Sequence, residues 1–265
     1  MLHWTVNISI ILLISCVDIG AYNLDTKSAV VFSDPNAGFY RKGSYFGYAV
    51  ALYASTSDPL VIVGAPRANV SRLLGIREPG AVYYCRLSGH CKEWPLDNSR
   101  NGGLHGIEGI DQMIDESWIG ATISVENKPQ PRVVVCAPRW KNVRKGNVNG
   151  IERNDFFQKM NGICYYTIVK SPGDFEKPVR KFITDLTAAN QQTRWIFEVA
   201  TMGFSLHEFS NESVWNIMIG APGCYGWSGT PLLVSENPLG ELSSLIPYTH
   251  PYWYTYSGNG FTNKF

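Results

Sequence analysis

The chain has 265 residues, and its 23 lysines and arginines nearly balance its 22 aspartates and glutamates, for a formal net charge of +1. This balance argues against a protein that binds nucleic acid by electrostatics, because such proteins carry a basic surface. Aromatic residues make up 13% of the chain, beside 25 glycines and 15 prolines, a composition that suits strands joined by many turns.

The first 21 residues are predicted to form a secretory leader. Residues 6–17 are mostly apolar, and Gly20 and Ala21 are small residues that suit a cleavage site. A membrane anchor is the alternative, but this apolar core is short for a bilayer span. The 265-residue chain alone is therefore expected to be secreted and unanchored, with residues 22–265 as its mature part.

Three segments of the chain repeat one pattern. Each begins with a short apolar or aromatic stretch around a glycine, at Gly47, Gly120 and Gly203. Each continues, after a polar stretch, into a run of β-branched and apolar residues that ends in Ala-Pro. Such a run predicts a strand that is buried on both faces. The proline then ends the strand, because it has no N–H to donate to the ladder.

A third strand is predicted after each Ala-Pro pair, at residues 80–85, 162–167 and 227–234. Strand, turn, buried strand, turn, strand is most of a four-stranded propeller blade. Because each copy of a repeat is one structural unit packed on its neighbours, we predict an all-β fold in the form of a partial β-propeller. The blades are expected at about residues 40–105, 112–190 and 196–250.

Two charged stretches between the predicted strands do not suggest a helix. Residues 141–145 carry three positive charges, and a solvated loop is the favoured interpretation. Residues 174–192 mix charged and apolar residues, but Pro178 interrupts any helical period. No long helix is therefore predicted.

Cysteine usage indicates an oxidising compartment. Cys85 and Cys91 are close enough in sequence to close a small loop, and Cys136 and Cys164 would tie off a longer insertion in the second repeat. Zinc is the competing interpretation, but no C-x-x-C pair supports it. Cys224 is left without a partner and is expected to be the reactive thiol.

Two sequons for N-glycosylation lie in the predicted mature part. They begin at Asn69 and Asn211, whereas a third, at Asn7, lies in the leader. We therefore expect a glycoprotein with Asn69 and Asn211 as the modified residues.

No set of residues predicts catalysis. His207-Glu208 begins like a metalloprotease motif, but Asn211 stands where the second metal ligand belongs. Asp97 opens a stretch that mimics a calcium loop and places Glu108 at its twelfth position, but Ser99 occupies a ligand position and an ordinary turn is favoured. We therefore predict that the chain is not an enzyme and carries no metal site.

The repeats resemble the FG-GAP repeats of integrin α subunits. Phe46-Gly47 with Gly64-Ala65-Pro66 is close to the pattern that gives the repeat its name. Tyr22-Asn23-Leu24-Asp25 is similar to the integrin α N-terminus, and Cys136-Ala137-Pro138-Arg139-Trp140 followed by Gly162-Ile163-Cys164-Tyr165 is similar to the second blade of insect-type subunits. The resemblance covers essentially the whole predicted mature chain.

The resemblance implies a seven-bladed propeller at the head of a long cell-surface ectodomain, with one transmembrane helix and a partner β subunit. This chain holds about three FG-GAP blades of the expected seven, so we expect a truncated product, a fragment or a short isoform. The Asp-x-Asp-x-Asp-Gly calcium loops, which the resemblance places in later blades, are not found in the sequence. No cofactor is therefore expected in this segment.

The resemblance also implies a binding site. Tyr48, Trp118 and Phe204 adjoin the repeat glycines, and we expect them to come from equivalent points of consecutive blades. In integrin α subunits such aromatics ring the centre of the upper face and cage a basic side chain of the β subunit, a cation–π contact. Arg139 and Trp140 are expected near the same face. The alternative is that these rings only fill space between blades.

Two functions follow as hypotheses. The first is an adhesion-receptor fragment that binds an integrin β subunit and contributes to a site for an extracellular-matrix protein. The second is a secreted FG-GAP propeller protein, either lectin-like or the scaffold of a hydrolase. The hydrolase hypothesis requires a catalytic domain, and no segment has the residues for one.

Overall fold

A computed structural model describes residues 27–35, 43–54, 59–103, 110–126, 128, 131–148, 151–169, 174–175, 179–182, 199–211, 214–236 and 242–245. The predicted leader lies outside the described residues. Within the described part of the chain, sixteen strands form four antiparallel four-stranded sheets. The all-β fold predicted from the sequence is confirmed.

Each of the three repeats forms one sheet. The first contains β1 (Ala49–Tyr53), β2 (Leu60–Ala65), β3 (Ala81–Arg86) and β4 (Cys91–Trp94), paired in that order. The second contains β7 (Thr122–Val125), β8 (Arg132–Ala137), β11 (Ile163–Ile168) and β12 (Arg180–Phe182), and the third contains β13 (Leu206–Asn211), β14 (Val214–Ala221), β15 (Thr230–Glu236) and β16 (Leu242–Leu245). A four-stranded meander is the form of a propeller blade, so these sheets agree with a partial propeller.

A fourth sheet is built from segments between these strands. It contains β5 (Gly102–Gly103), β6 (Ile110–Met113), β9 (Lys141–Val148) and β10 (Ile151–Met160), in the order β10-β9-β6-β5. The prediction of a solvated loop at residues 141–145 is therefore wrong. Residues 141–144 pair with β6, some thirty residues earlier in the chain, and the local sequence gives no sign of that partner.

The middle strand of the second repeat is buried on both faces, as its apolar run predicts. Val133 and Val135 pack in the core that includes Ile62 of the first sheet. Val134, which points to the other face, packs in the core that includes Ile217 of the third sheet. Side chains alternate along a strand, so this one strand joins two separate cores.

Backbone hydrogen bonds join successive repeats at equivalent points. The N–H of Ile119 donates to the carbonyl of Pro79 at 3.0 Å, and the N–H of Met202 donates to the carbonyl of Asn161 at 2.9 Å. In both cases the residue before a repeat glycine meets the chain just before the third strand of the preceding repeat. The repeats therefore stack in one consistent way.

The described helices are short. A single turn of α-helix, α1 (Cys224–Trp227), follows the third Ala-Pro pair, and a 3-10 turn covers Ser71–Leu73. Among the described residues, no helix has the length and apolar character needed to cross a membrane.

Two disulfide bonds are present, between Cys85 and Cys91 and between Cys136 and Cys164. Both join directly opposed residues of neighbouring strands. The first closes a loop of 6 residues and the second one of 28. The cysteine pairs named from the sequence are therefore the ones that the fold brings together.

Loss of the disulfide that closes the longer loop is expected to destabilise the protein more than loss of the other disulfide. Restricting the unfolded chain contributes ~2–4 kcal/mol per disulfide, and the contribution grows with the logarithm of loop length. Replacing Cys136 and Cys164 by alanine should lower the free energy of unfolding by about 1–1.5 kcal/mol more than the same change at Cys85 and Cys91. Urea denaturation of the two double variants measures the difference, and equal losses would contradict the expectation.

The prediction that Cys224 is a reactive thiol is wrong. Its side chain is buried in the core between the second and third sheets, and burial raises the pKa of the thiol to about 12. The thiolate is the reactive form of cysteine, and almost none of it is present at neutral pH with such a pKa.

Candidate functional site

One backbone contact recurs in all three repeats and gathers two loops at the same end of each sheet. The N–H groups of Arg67, Arg139 and Gly223, each directly after an Ala-Pro pair, donate to carbonyls in the turn before the repeat glycine. The acceptors are Ser44 at 3.0 Å and Ser117 and Ala200 at 3.1 Å. Side chains from the turn and from the Ala-Pro loop therefore lie beside each other.

The turn before each glycine fixes which residues are equivalent. Tyr45, Trp118 and Thr201 each lie two residues before a repeat glycine, with φ of 59°, 63° and 47°. Non-glycine residues adopt this left-handed region rarely, so its recurrence marks one position of the repeat. Trp118 therefore corresponds to Tyr45, whereas Tyr48 and Phe204 occupy a different position, one residue after the glycine. The expectation that Tyr48, Trp118 and Phe204 are equivalent is wrong for Trp118.

Two arginines cover two of these rings. The guanidinium of Arg67 lies 5.0 Å from the ring centroid of Tyr45, and that of Arg139 lies 5.1 Å from the ring centroid of Trp118. Both distances are within the range of a cation–π interaction. Tyr45 and Trp118 are therefore each covered on one face by a cation of the same chain.

The rings also contact each other across the first and second repeats. Tyr45 stacks on Tyr48 with centroids 6.3 Å apart, and Tyr48 meets Trp118 edge to face at 5.9 Å. Tyr45 is 45% exposed, Tyr48 is 55% exposed and Trp118 is half-buried. Together with the two arginines these rings form a continuous surface, the aromatic–arginine face, which consists of Tyr45, Tyr48, Arg67, Trp118 and Arg139.

Carboxylates stand beside this face. Arg67 donates to both oxygens of Glu78, from Nε at 2.9 Å and from Nη2 at 3.1 Å. The hydrogen bonds to Glu78 raise the pKa of the Arg67 guanidinium further above its usual value. The oxygen of Asn69 in turn accepts the backbone N–H of Glu78 at 2.6 Å, so the predicted glycosylation site lies next to the Arg67 pair.

Phe204 is presented to solvent but stands apart from the other rings. Its side chain is 67% exposed, and no ring contact joins it to another described residue. The hydroxyl of Thr122 donates to the carbonyl of Gly203 at 2.5 Å, which fixes the turn beside Phe204 to the second sheet. Asn211, the other predicted glycosylation site, is the last residue of β13, and its side chain is not among those that the structure describes.

Trp140 is not a surface residue, and its assignment to the binding site is wrong. It is fully buried in the core between the first and second sheets, directly after the half-exposed Arg139. Its backbone N–H donates to Ala137 at 3.1 Å, and its carbonyl accepts from Gly162 at the same distance. These bonds close a turn that directs the indole inward.

Sequence analysis missed Tyr45 and Arg67 as members of the face. A signal was available, because Ala-Pro-Arg occurs in the first two repeats and an aromatic precedes the glycine by two residues in the same two repeats. Trp227, which was predicted to begin the third strand of the last repeat, lies instead at the end of α1, where it is exposed with φ of 74°.

Asp97, the start of the calcium-loop mimic, is an internal hydrogen-bond acceptor. Its carboxylate accepts from the Tyr165 hydroxyl at 2.8 Å, from Lys181 Nζ at 3.0 Å and from the Ser99 backbone N–H at 2.8 Å. Burial pushes the pKa of Asp97 upward, but Lys181 and Ser99 outweigh it and hold the pKa below its usual value. Asp97 thus links the first repeat to the second through hydrogen bonds to Tyr165 and Lys181. Glu108, the other end of the predicted calcium-loop mimic, lies outside the described residues.

The described residues hold no group of three or more histidine, cysteine, aspartate or glutamate side chains arranged to bind a metal ion. The geometry at the loop ends of the sheets is instead that of an exposed surface of rings and guanidinium groups. Such a surface suits contact with another protein, because tyrosine, tryptophan and arginine supply most strongly binding residues at interfaces.

Comparison with known proteins places integrin α subunits among the relatives of the chain. Integrin alpha-8 of Gallus gallus is 30% identical over 228 residues, which cover 83% of this chain and 19% of the relative. The Homo sapiens integrin alpha-8 is 31% identical over 228 residues, which cover 81% of this chain and 18% of the relative. Integrin alpha-PS5 of Drosophila melanogaster is 28% identical over 199 residues, which cover 72% of this chain and 16% of the relative. The chain spans about a fifth of the length of the curated relatives it matches. No family model matches the chain.

Proposed function

We propose that this chain, which is a homologue of the integrin α subunits, is part of a cell-adhesion receptor and pairs with an integrin β subunit through its aromatic–arginine face. Pairing would place it on the extracellular side of the plasma membrane, where it contributes to binding an extracellular-matrix protein. The observation that carries the proposal is the exposed, continuous run of rings Tyr45, Tyr48 and Trp118 with their two arginines.

The rings are held in place before any partner arrives. Tyr45 and Trp118 keep left-handed backbone conformations that are unfavourable for bulky side chains, and backbone hydrogen bonds to the Ala-Pro loops fix both turns. Stacking on the arginines further restricts the two rings. Little side-chain entropy is then lost on association, which favours binding by this face.

The pairing is tested by capturing the secreted chain on an immobilised integrin β-subunit head ectodomain. Replacing Trp118 by alanine is expected to weaken capture by about 30-fold, the effect of losing one strong interface residue. Phe209→Ala serves as the matched control, since Phe209 is also a partly exposed aromatic but lies on β13, outside the face.

The same variants separate pairing from blade packing. The Trp118→Ala substitution should change the free energy of unfolding, measured by urea denaturation, much less than it changes the free energy of binding. Unchanged capture together with a lowered unfolding midpoint would mean that the ring only packs the repeats together. Absence of capture for the unaltered chain would instead favour a secreted FG-GAP propeller that does not use a β subunit.

A further inference from the structure

Arg67 and Arg139 occupy the same position in successive repeats and yet have different surroundings. Each follows an Ala-Pro pair, and each lies over the aromatic ring two residues before its repeat glycine. Arg67 is 21% exposed, and its guanidinium is engaged by both oxygens of Glu78. The first repeat therefore shows that a guanidinium at this position donates to both oxygens of a carboxylate when one is within reach.

Arg139 has no carboxylate at hydrogen-bonding distance in the described part of the chain. Its side chain is 38% exposed, and the nearest carboxylate oxygen, on Glu116, is 3.7 Å from Nη2, which is too far for a hydrogen bond. The other oxygen of Glu116 pairs with Arg77 at 3.0 Å. Among the described residues, the Arg139 guanidinium donates no hydrogen bond, although Trp118 already holds it in position.

We propose that Arg139 is a binding site for a carboxylate of the partner protein, namely an aspartate or glutamate side chain of the β subunit. A guanidinium presents planar, paired donors that match the two oxygens of a carboxylate, and such charge-assisted pairs are strong and geometrically specific. Glu78 pairs with Arg67, whereas the single carboxylate of Glu116 faces two guanidinium groups, Arg77 at 3.0 Å and Arg139 at 3.7 Å. Among these described residues one positive charge is therefore left in excess beside Arg139, and a carboxylate of the partner can neutralise it. This inference rests on the proposed function.

The assignment changes the chemistry expected of Trp118. A basic side chain of the partner cannot use the ring face that Arg139 covers, and it would be repelled by the guanidinium above that face. The side of Trp118 that Arg139 covers therefore favours an acidic group of the partner.

The test measures binding of the integrin β-subunit head ectodomain to the chain by surface plasmon resonance at 50 mM and 300 mM NaCl. Arg139→Gln should weaken binding by about 10- to 30-fold at low salt, and Arg139→Glu should weaken it further by like-charge repulsion. Arg139→Lys should recover only part of the affinity, because lysine lacks the planar fork. Arg67→Gln is the matched control and should change affinity less, since Arg67 is already paired within the chain.

Salt dependence separates a charge contact from simple packing. The affinity of the unaltered chain should fall as salt rises, and Arg139→Gln should flatten that dependence. Weaker binding with an unchanged salt dependence would overturn the inference, because Arg139 would then act only by supporting Trp118. Unaltered affinity of Arg139→Gln would also overturn it while leaving the proposed pairing intact. Failure of the unaltered chain to bind would instead reject the proposed function and this inference together.

Discussion

Replacing Gly203 by alanine is expected to reduce secretion of folded protein strongly. Gly203 has φ of +93°, and a Cβ placed on it would lie 2.2 Å from Cβ and 2.8 Å from Sγ of Cys136. The atom would also meet Sγ of Cys164 at 3.1 Å, so it would push directly on the disulfide of the second sheet. Because that disulfide joins two paired strands, it cannot move aside without displacing the sheet.

Two penalties add at this position. A left-handed conformation costs an alanine ~1–2 kcal/mol relative to glycine, and forcing an extra methyl group into a packed interface costs ~1–3 kcal/mol or more. Single domains are stable by only ~5–15 kcal/mol, so the variant should lose much of its margin. Secreted yield from a eukaryotic host and the urea midpoint of any recovered protein measure the loss.

Gly47→Ala is the matched control for Gly203→Ala. Gly47 is the equivalent glycine of the first repeat, with φ of +89°, but no atom lies within 4 Å of the Cβ it would gain. The variant should suffer only the conformational penalty of ~1–2 kcal/mol and remain secreted. Equal damage from the two substitutions would contradict the view that Gly203 is required for contact between repeats.

Replacing Arg132 by leucine is expected to lower the free energy of unfolding by ~3–5 kcal/mol, the usual cost of removing one member of a buried ion pair. Arg132 Nε donates to Glu236 at 2.7 Å, and Nη1 donates to Glu126 at 3.1 Å. Both carboxylates are buried, at 3% and 7% exposure. The guanidinium also lies 5.2 Å from the ring centroid of Trp215, so one side chain links the second and third sheets.

The matched control is Arg77→Leu, which breaks the pair with Glu116. Arg77 is largely exposed, and exposed ion pairs contribute only ~0–1 kcal/mol. Urea denaturation of both variants gives the comparison, and the double variant Arg132→Leu with Glu236→Gln should recover part of the lost stability by removing one buried charge. An Arg132 variant as stable as the Arg77 variant would rule out a structural role for the network.

Local sequence determined the repeated strands of this protein. Runs such as Val133-Val134-Val135 before Ala-Pro require nothing beyond neighbouring residues, because strand propensity and the missing N–H of proline act locally. The cysteine pairs were also readable, since Cys85 and Cys91 lie close in sequence and Cys136 and Cys164 fall on the buried and third strands of one repeat.

Tertiary structure alone decided which side chains reach the surface at the ends of the sheets. Arg139 and Trp140 are adjacent in sequence, yet one is exposed on Trp118 and the other is fully buried, because the turn after Ala137 directs the indole into a core shared with the first sheet. The fourth sheet likewise depends on the pairing of residues 141–144 with Ile110–Met113. Such outcomes depend on contacts between segments distant in sequence, and hydrophobic periodicity carries no information about which distant segment will be the partner.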